Sequence, residues 1–92
     1  MKPEELLAEL KNVSEKLGVH VEEHNFREAG VRVTSGFCMV RGQKMFILDK
    51  HKSLPKKIEI LSGFLAEMSL DDIYIVPAVR ECIAKNAGKE DD

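Results

Sequence analysis

The chain has 92 residues, 43% of them hydrophobic and 33% charged, with a formal net charge of -2 and a pI near 5.9. That length holds one domain with a modest core, and that composition is an ordinary folded globule's rather than a disordered chain's. The charge balance offers no general attraction to nucleic acid or to anionic membranes, which disfavours both as partners.

No apolar run reaches the roughly 20 residues of a membrane span, and the opening Met-Lys-Pro-Glu-Glu lacks the apolar stretch of a signal peptide. The chain is therefore expected in the cytoplasm, with residues 1–88 as a single α+β domain and residues 89–92 as a disordered acidic tail. Cys38 and Cys82 lie far apart and outside any CxxC spacing, which fits reduced thiols in that compartment.

In chain order, the first expectation is a helix over 3–17. Proline is tolerated at its first position, Glu4 and Glu5 favour the positive end of the helix dipole, and Gly18 stands where the helix should end. Leu6, Leu10, Val13 and Leu17 recur at helical spacing, with Leu7 widening the stripe. Val19 and Val21 then alternate with His20 and Glu22, which predicts an edge strand from Val19 to Phe26. Phe26 to Gly30 reads as a turn, and Val31, Val33 and the Thr34-Ser35-Gly36 step lead onward, with a bulge or bend at Gly36.

Phe37 to Asp49 organises the rest. It reads as a β-hairpin turned at Gly42-Gln43, since glycine first in a two-residue loop fits a type II′ turn. In that register Arg41 faces Lys44, Val40 faces Met45, Met39 faces Phe46, Cys38 faces Ile47 and Phe37 faces Leu48. One face then carries Phe37, Met39, Phe46 and Leu48, and the other Cys38, Val40, Met45 and Ile47. Both faces are apolar, whereas a hairpin in a small domain usually wets one side, so each of these residues is a candidate interface residue. The first set is bulkier and better suited to the core; which set faces out stays open.

Beyond the hairpin, Ser53-Leu54-Pro55 is a helix-start signal, and Ile58, Leu61, Leu65 and Met68 stripe a second helix over 55–68, flanked by Ile60 and Phe64. Ile73 to Val76 is either a last strand or an extended entry to a third helix over 77–86, begun at Pro77. Sequential strands usually pair, so the expected fold is an antiparallel sheet of three or four strands with helices mainly on one face, in the order α-β-β-β-α-α.

Chemistry-bearing residues are sparse. His20, Glu22 and His24 share one side of a strand and are legitimate ligand types for a transition metal, but two imidazoles and a carboxylate at strand spacing are more often a solvated edge, and no metal is assigned. Neither cysteine has a neighbouring base that would activate a thiolate. Phosphate-binding glycine loops and the GxSxG elbow are absent, so no cofactor is expected. Arg41, Lys44, Lys50, Lys52, Lys56 and Lys57 oppose only Asp49, while the first 28 residues hold seven acids against four bases. A basic rim beside an apolar hairpin suits an acidic protein partner, including a second copy of the chain. Arg41, Lys44 and Arg80 are the anion-binding candidates, with Arg32 behind them, because guanidinium forks match carboxylates and phosphates.

Two likenesses add to this reading. A helix, a glycine-bearing approach, a strand pair ending at Ile47-Leu48-Asp49 and an apolar helix make residues 4–68 resemble the opening of the ImmA/IrrE-type metallopeptidases. That family's zinc-binding HExxH is missing: Gly63 and Phe64 stand for its first His-Glu and Glu67 for its second histidine, so no catalytic residue carries over. Gly36 to Gly42 (Gly-x-Cys-x-Val-Arg-Gly) and Tyr74 to Arg80 (Tyr-Ile-x-Pro-x-Val-Arg) are also similar to a group of short uncharacterised bacterial proteins. Together the likenesses imply an α+β domain that is not an enzyme. The expected function is a small cytoplasmic interaction module forming a homodimer or docking on a larger protein, the alternative being a domain that binds a small ligand or metal through arginines or histidines.

Overall fold

Helix α1 spans Pro3–Lys16, and its burial pattern follows its stripe: Leu7, Leu10 and Val13 are buried while the acids of the first turn face water. Leu17 caps it and Gly18 follows at φ 84°, the left-handed conformation that L side chains resist. The reversal feeds directly into strand β1, Val19–His24. Ser14 fastens the junction, its buried hydroxyl donating to the Val19 carbonyl at 2.7 Å. A computed structural model describes residues 1–25 and 36–88, so the turn expected at 26–30, the approach through Val31 and Val33, the end of the predicted strand at Phe26, Arg32 and the tail at 89–92 lie outside the described residues.

Strands β2 (Gly36–Val40) and β3 (Gln43–Asp49) form the hairpin, but its loop is Arg41-Gly42. Both loop residues have positive φ, 51° and 82°, as a type I′ turn requires. Phe37 therefore pairs with Phe46, Cys38 with Met45, Met39 with Lys44 and Val40 with Gln43, a two-residue slip from the predicted register. The predicted register set Arg41 directly opposite Lys44, an unfavourable pairing of like charges; the observed one moves Arg41 into the loop and gives Lys44 a thioether neighbour. Because the slip is even, the face each side chain occupies is unchanged.

The sheet is mixed rather than antiparallel. Its order is β1-β3-β2, with β3 antiparallel to β2 and parallel to β1, so that Val19 aligns with Lys44, Val21 with Phe46 and Glu23 with Leu48. β1 is an edge strand, as its charged residues suggested, but consecutive strands β1 and β2 occupy opposite edges with β3 between them. Residues 73–76 are not a strand: Ile75 is buried in the core, and Val76 has the extended geometry that precedes Pro77.

Helix α2 (Leu54–Ala66) begins as predicted, with the Ser53 hydroxyl accepting from the Lys56 amide at 3.3 Å. Helix α3 (Pro77–Lys85) packs on α2 and α1 and not on a strand. Ser62, fully buried on α2, lets the two helices approach and meets the Cys82 thiol at 3.2 Å. The core lies between the helices and one face of the sheet, and includes Leu10, Val13, Val19, Val21, Phe46, Leu48, Leu61, Leu65, Val79 and Ile83. Full burial of each leucine or isoleucine contributes about 1.5–3 kcal/mol.

Arg41→Asn is expected to raise stability by about 0.5–1 kcal/mol, because asparagine tolerates left-handed backbone better than a long side chain does. Thermal unfolding reads this as a Tm rise of a few degrees; a fall would mean that position 41 belongs to the ladder and not to the loop.

Candidate functional site

β2 is the outer strand of the hairpin, and the helices stop short of it: α1 contacts β1 and α2 contacts β3. Phe37 and Met39 share the core-facing side with Phe46 and Leu48, yet they are 49% and 57% exposed while Phe46 and Leu48 are 4% and 0% exposed. Phe64 of α2 marks the limit of the helical cover. Its ring stacks on Phe46 at 4.3 Å between centroids and reaches Phe37 at 5.8 Å, so Phe37 is supported on one side and open on the other.

On the opposite face Val40 is exposed, Cys38 and Ile47 are half-buried, and Met45 is buried; none of the four belongs to the main core cluster. The eight hairpin candidates thus divide by strand rather than by face. Those on β3 are wholly or partly covered, and three of the four on β2, Phe37, Met39 and Val40, carry the exposure, with Cys38 half-buried. Sequence alternation assigns side chains to faces, but only the placement of the helices decides how far along the sheet each face is covered.

Backbone geometry adds a second feature. Val40 and Gln43 close a two-residue turn and so form a hydrogen-bonded pair, after which bonded and non-bonded pairs alternate along the ladder. Cys38 and Gly36 consequently turn their amide and carbonyl toward β3, while Phe37 and Met39 turn theirs outward. β2 carries no proline and no charged side chain, the usual devices that protect a sheet edge.

The cations do not form one rim. Arg41 and Lys44 are exposed at the hairpin tip, and Lys50 and Lys52 follow the far end of β3, about 20 Å away along the strand. Lys56 pairs with Glu59 at 3.7 Å, and Lys57 with Glu23 at 2.6 Å. Arg80, exposed on α3, stands on a helix that touches no strand, so the anion-binding candidates are not brought together.

Glu23 was hidden by the sequence's apparent loss of alternation. Its parity continues that of Val19 and Val21, which places a carboxylate at the rim of the core face, where Lys11 of α1 and Lys57 of α2 each meet it at 2.6 Å. Partial burial works to raise the Glu23 pKa, but the hydrogen bonds from the two lysines outweigh it and hold the group below its ordinary value. The clamp joins both helices to β1. A carboxylate on the apolar parity of a strand, with lysines on both flanking helices, is the signal that could have revealed it.

His20, Glu22 and His24 do line one side of β1. Glu15 approaches His20 Nδ1 at 2.6 Å, Glu22 approaches His20 Nε2 at 3.1 Å, and Glu22 also meets His24 Nε2 at 2.7 Å. With carboxylates at both ring nitrogens, His20 is satisfied only as the cation, and the Glu15 hydrogen bond raises its pKa. The bond with His24 leads the causes that lower that of Glu22. The row is a chain of carboxylate–imidazole hydrogen bonds, and among the described residues no group of three or more His, Cys, Asp or Glu is placed to hold a metal ion.

One concavity, of about 370 Å³, lies where the ends of the three helices converge, between Met1, Leu6, Pro55, Ile58, Cys82 and Asn86. Cys82 accepts a long contact from the Asn86 amide at 3.8 Å beside its contact with Ser62. Both cysteines are free. No run of sequence marks this groove, because three separated helix ends build it. Among the described residues no helix is long and apolar enough to cross a membrane.

Glu23→Gln is expected to cost about 1–2 kcal/mol in denaturant unfolding, since it weakens two charge-assisted hydrogen bonds at once. The pH dependence has two limbs. His20, raised above 6.5, contributes stability that is complete below that value and lost as pH climbs through its elevated folded pKa. Glu22 and Glu23, lowered from 4.5, contribute stability present above that value and lost as pH falls through their depressed folded pKa values. In a series of melts, His20→Gln should lie below the wild type in acid and converge with it in alkali.

No protein-family model, curated protein or solved structure matches the chain.

Proposed function

We propose that the chain is a small, non-catalytic protein-interaction module of the cytoplasm, docking through its hairpin with β2 outermost. The observation that carries this reading is the coincidence, on one five-residue strand, of exposed apolar side chains at Phe37, Met39 and Val40 with an outward row of backbone donors and acceptors. Strand addition uses such an edge: main-chain hydrogen bonds supply affinity, and alternate side chains supply selectivity. The stacked rings of Phe37, Phe64 and Phe46 back the exposed surface with a rigid aromatic ledge, the kind of anchor around which binding energy concentrates. Two free thiols suit a reducing compartment.

Met39→Glu tests the reading with little risk to the fold, because position 39 is exposed and lies opposite Lys44. The variant should melt within a few degrees of the wild type, yet lose at least tenfold of the stoichiometric partner that wild-type bait retains from extracts of its source cells. Equal retention by both proteins would exclude the β2 edge as the docking surface.

A further inference from the structure

We infer that the occupant of the β2 edge is the β2 strand of a second copy, paired antiparallel about a two-fold axis through Cys38. The inference rests on the interaction reading above and narrows it to one partner and one register.

The argument begins with parity. Only Phe37 and Met39 direct their backbone groups outward, so an antiparallel strand joining the edge must form its hydrogen-bonded pairs there. For two identical β2 strands this leaves three registers, centred on residue 37, 38 or 39. Only the middle one pairs all five residues of Gly36–Val40 with the same strand of the other copy. It sets Phe37 against Met39 of the second copy, and the reverse, as two hydrogen-bonded pairs. Cys38 faces Cys38 of the second copy, and Val40 faces Gly36 of the second copy.

The side chains suit that register. On the core-facing side each Phe37 ring meets a methionine thioether, a favourable sulfur–aromatic contact. On the other side the branched Val40 lies opposite a glycine, which leaves room for it. β2 contains no charged residue, and a net charge of -2 on each copy gives little mutual repulsion.

The helices also leave space. The two-fold is normal to the sheet, so both copies place their helices on one side of a six-stranded sheet ordered β1-β3-β2-β2-β3-β1. The two β3 strands are then about 14 Å apart, three strand spacings. Each α2 lies over its own β3, and helices in contact pack about 8–10 Å apart, so the two do not collide. The gap between them is filled by Phe37, Met39 and Phe64 of both copies. The three exposed β2 side chains offer roughly 300 Å² of apolar surface per copy. Two copies therefore bury less than the roughly 1,200 Å² typical of a permanent pair, and the dimer is reversible and concentration-dependent.

The test combines sedimentation with a thiol cross-link. Directly opposed residues of a non-hydrogen-bonded pair have Cα atoms about 4.5 Å apart, within disulfide reach. Under oxidised glutathione, which takes up the two electrons and two protons released by two thiols, Cys82→Ser should form a covalent dimer through Cys38. A Val40→Cys variant in a Cys38→Ser, Cys82→Ser background should not cross-link, because its two thiols start from Cα atoms about 14 Å apart, four residues along the ladder. The wild type should sediment as a monomer–dimer equilibrium at tens to hundreds of micromolar, and Met39→Glu as a monomer.

Four results overturn the inference: a wild-type monomer throughout that concentration range, dimerisation that survives Met39→Glu, no cross-link at Cys38 in the dimer, or equal cross-linking at position 40. If the wild type stays monomeric while Met39→Glu still loses its captured partner, the second copy is excluded and docking on a different protein stands. If neither sedimentation nor capture responds to the edge, the interaction reading falls as well.

Discussion

Strand β3 is hydrogen-bonded along both sides, and every other feature of the molecule is arranged about that fact. Its position between β1 and β2 makes a seven-residue strand the axis of the domain, with Phe46 and Leu48 under the helices and Met45 and Ile47 on the reverse. The four apolar residues Met45 to Leu48, alternating between the two faces, suit this place, because a central strand has no edge to protect. The central position of β3 accounts for its apolar residues on both faces; β2, at the edge, has no such reason.

The asymmetry between those two strands follows from how much sheet the helices cover. α1 crosses over β1 and α2 over β3, while α3 extends the helical layer away from the sheet by packing on its companions. Among the described residues, three short helices build a layer above two strands and leave Phe37 and Met39 of the third about half exposed. Phe64 ends that layer, and its stacking with Phe37 gives β2 an aromatic support on one side. An edge so exposed is normally blunted by charge, proline or a bulge, and β2 has neither charge nor proline along its length.

Electrostatics reinforces the same layering from the other edge. Alternation along β1 sends Glu23 to the helical side and His20, Glu22 and His24 to the reverse. Glu23 there ties β1 to both helices through Lys11 and Lys57, while the reverse side carries a row of mutually satisfied acids and imidazoles reaching back to Glu15. One edge strand therefore carries partnered carboxylates and imidazoles, and the other has only apolar side chains and a glycine.

Local chemistry was legible in the sequence wherever a short stretch suffices to define it. Pro3 and Ser53-Leu54-Pro55 start helices because their backbone and capping preferences act within one turn, and Gly18 ends one because its φ is open to glycine alone at little cost. The hairpin faces survived a misplaced turn because side-chain direction has a period of two and the slip was two residues. Avoidance of an Arg41–Lys44 pair was a local clue to the right loop. What tertiary structure alone decided is that β3 lies between β1 and β2, that β1 runs parallel to it, and that the helical layer ends at Phe64. Those choices weigh contacts between distant segments against one another, and no neighbouring residue records their outcome. The same competition leaves Phe37 and Met39 in the open while Phe46 and Leu48, equally apolar and on the same face, are buried.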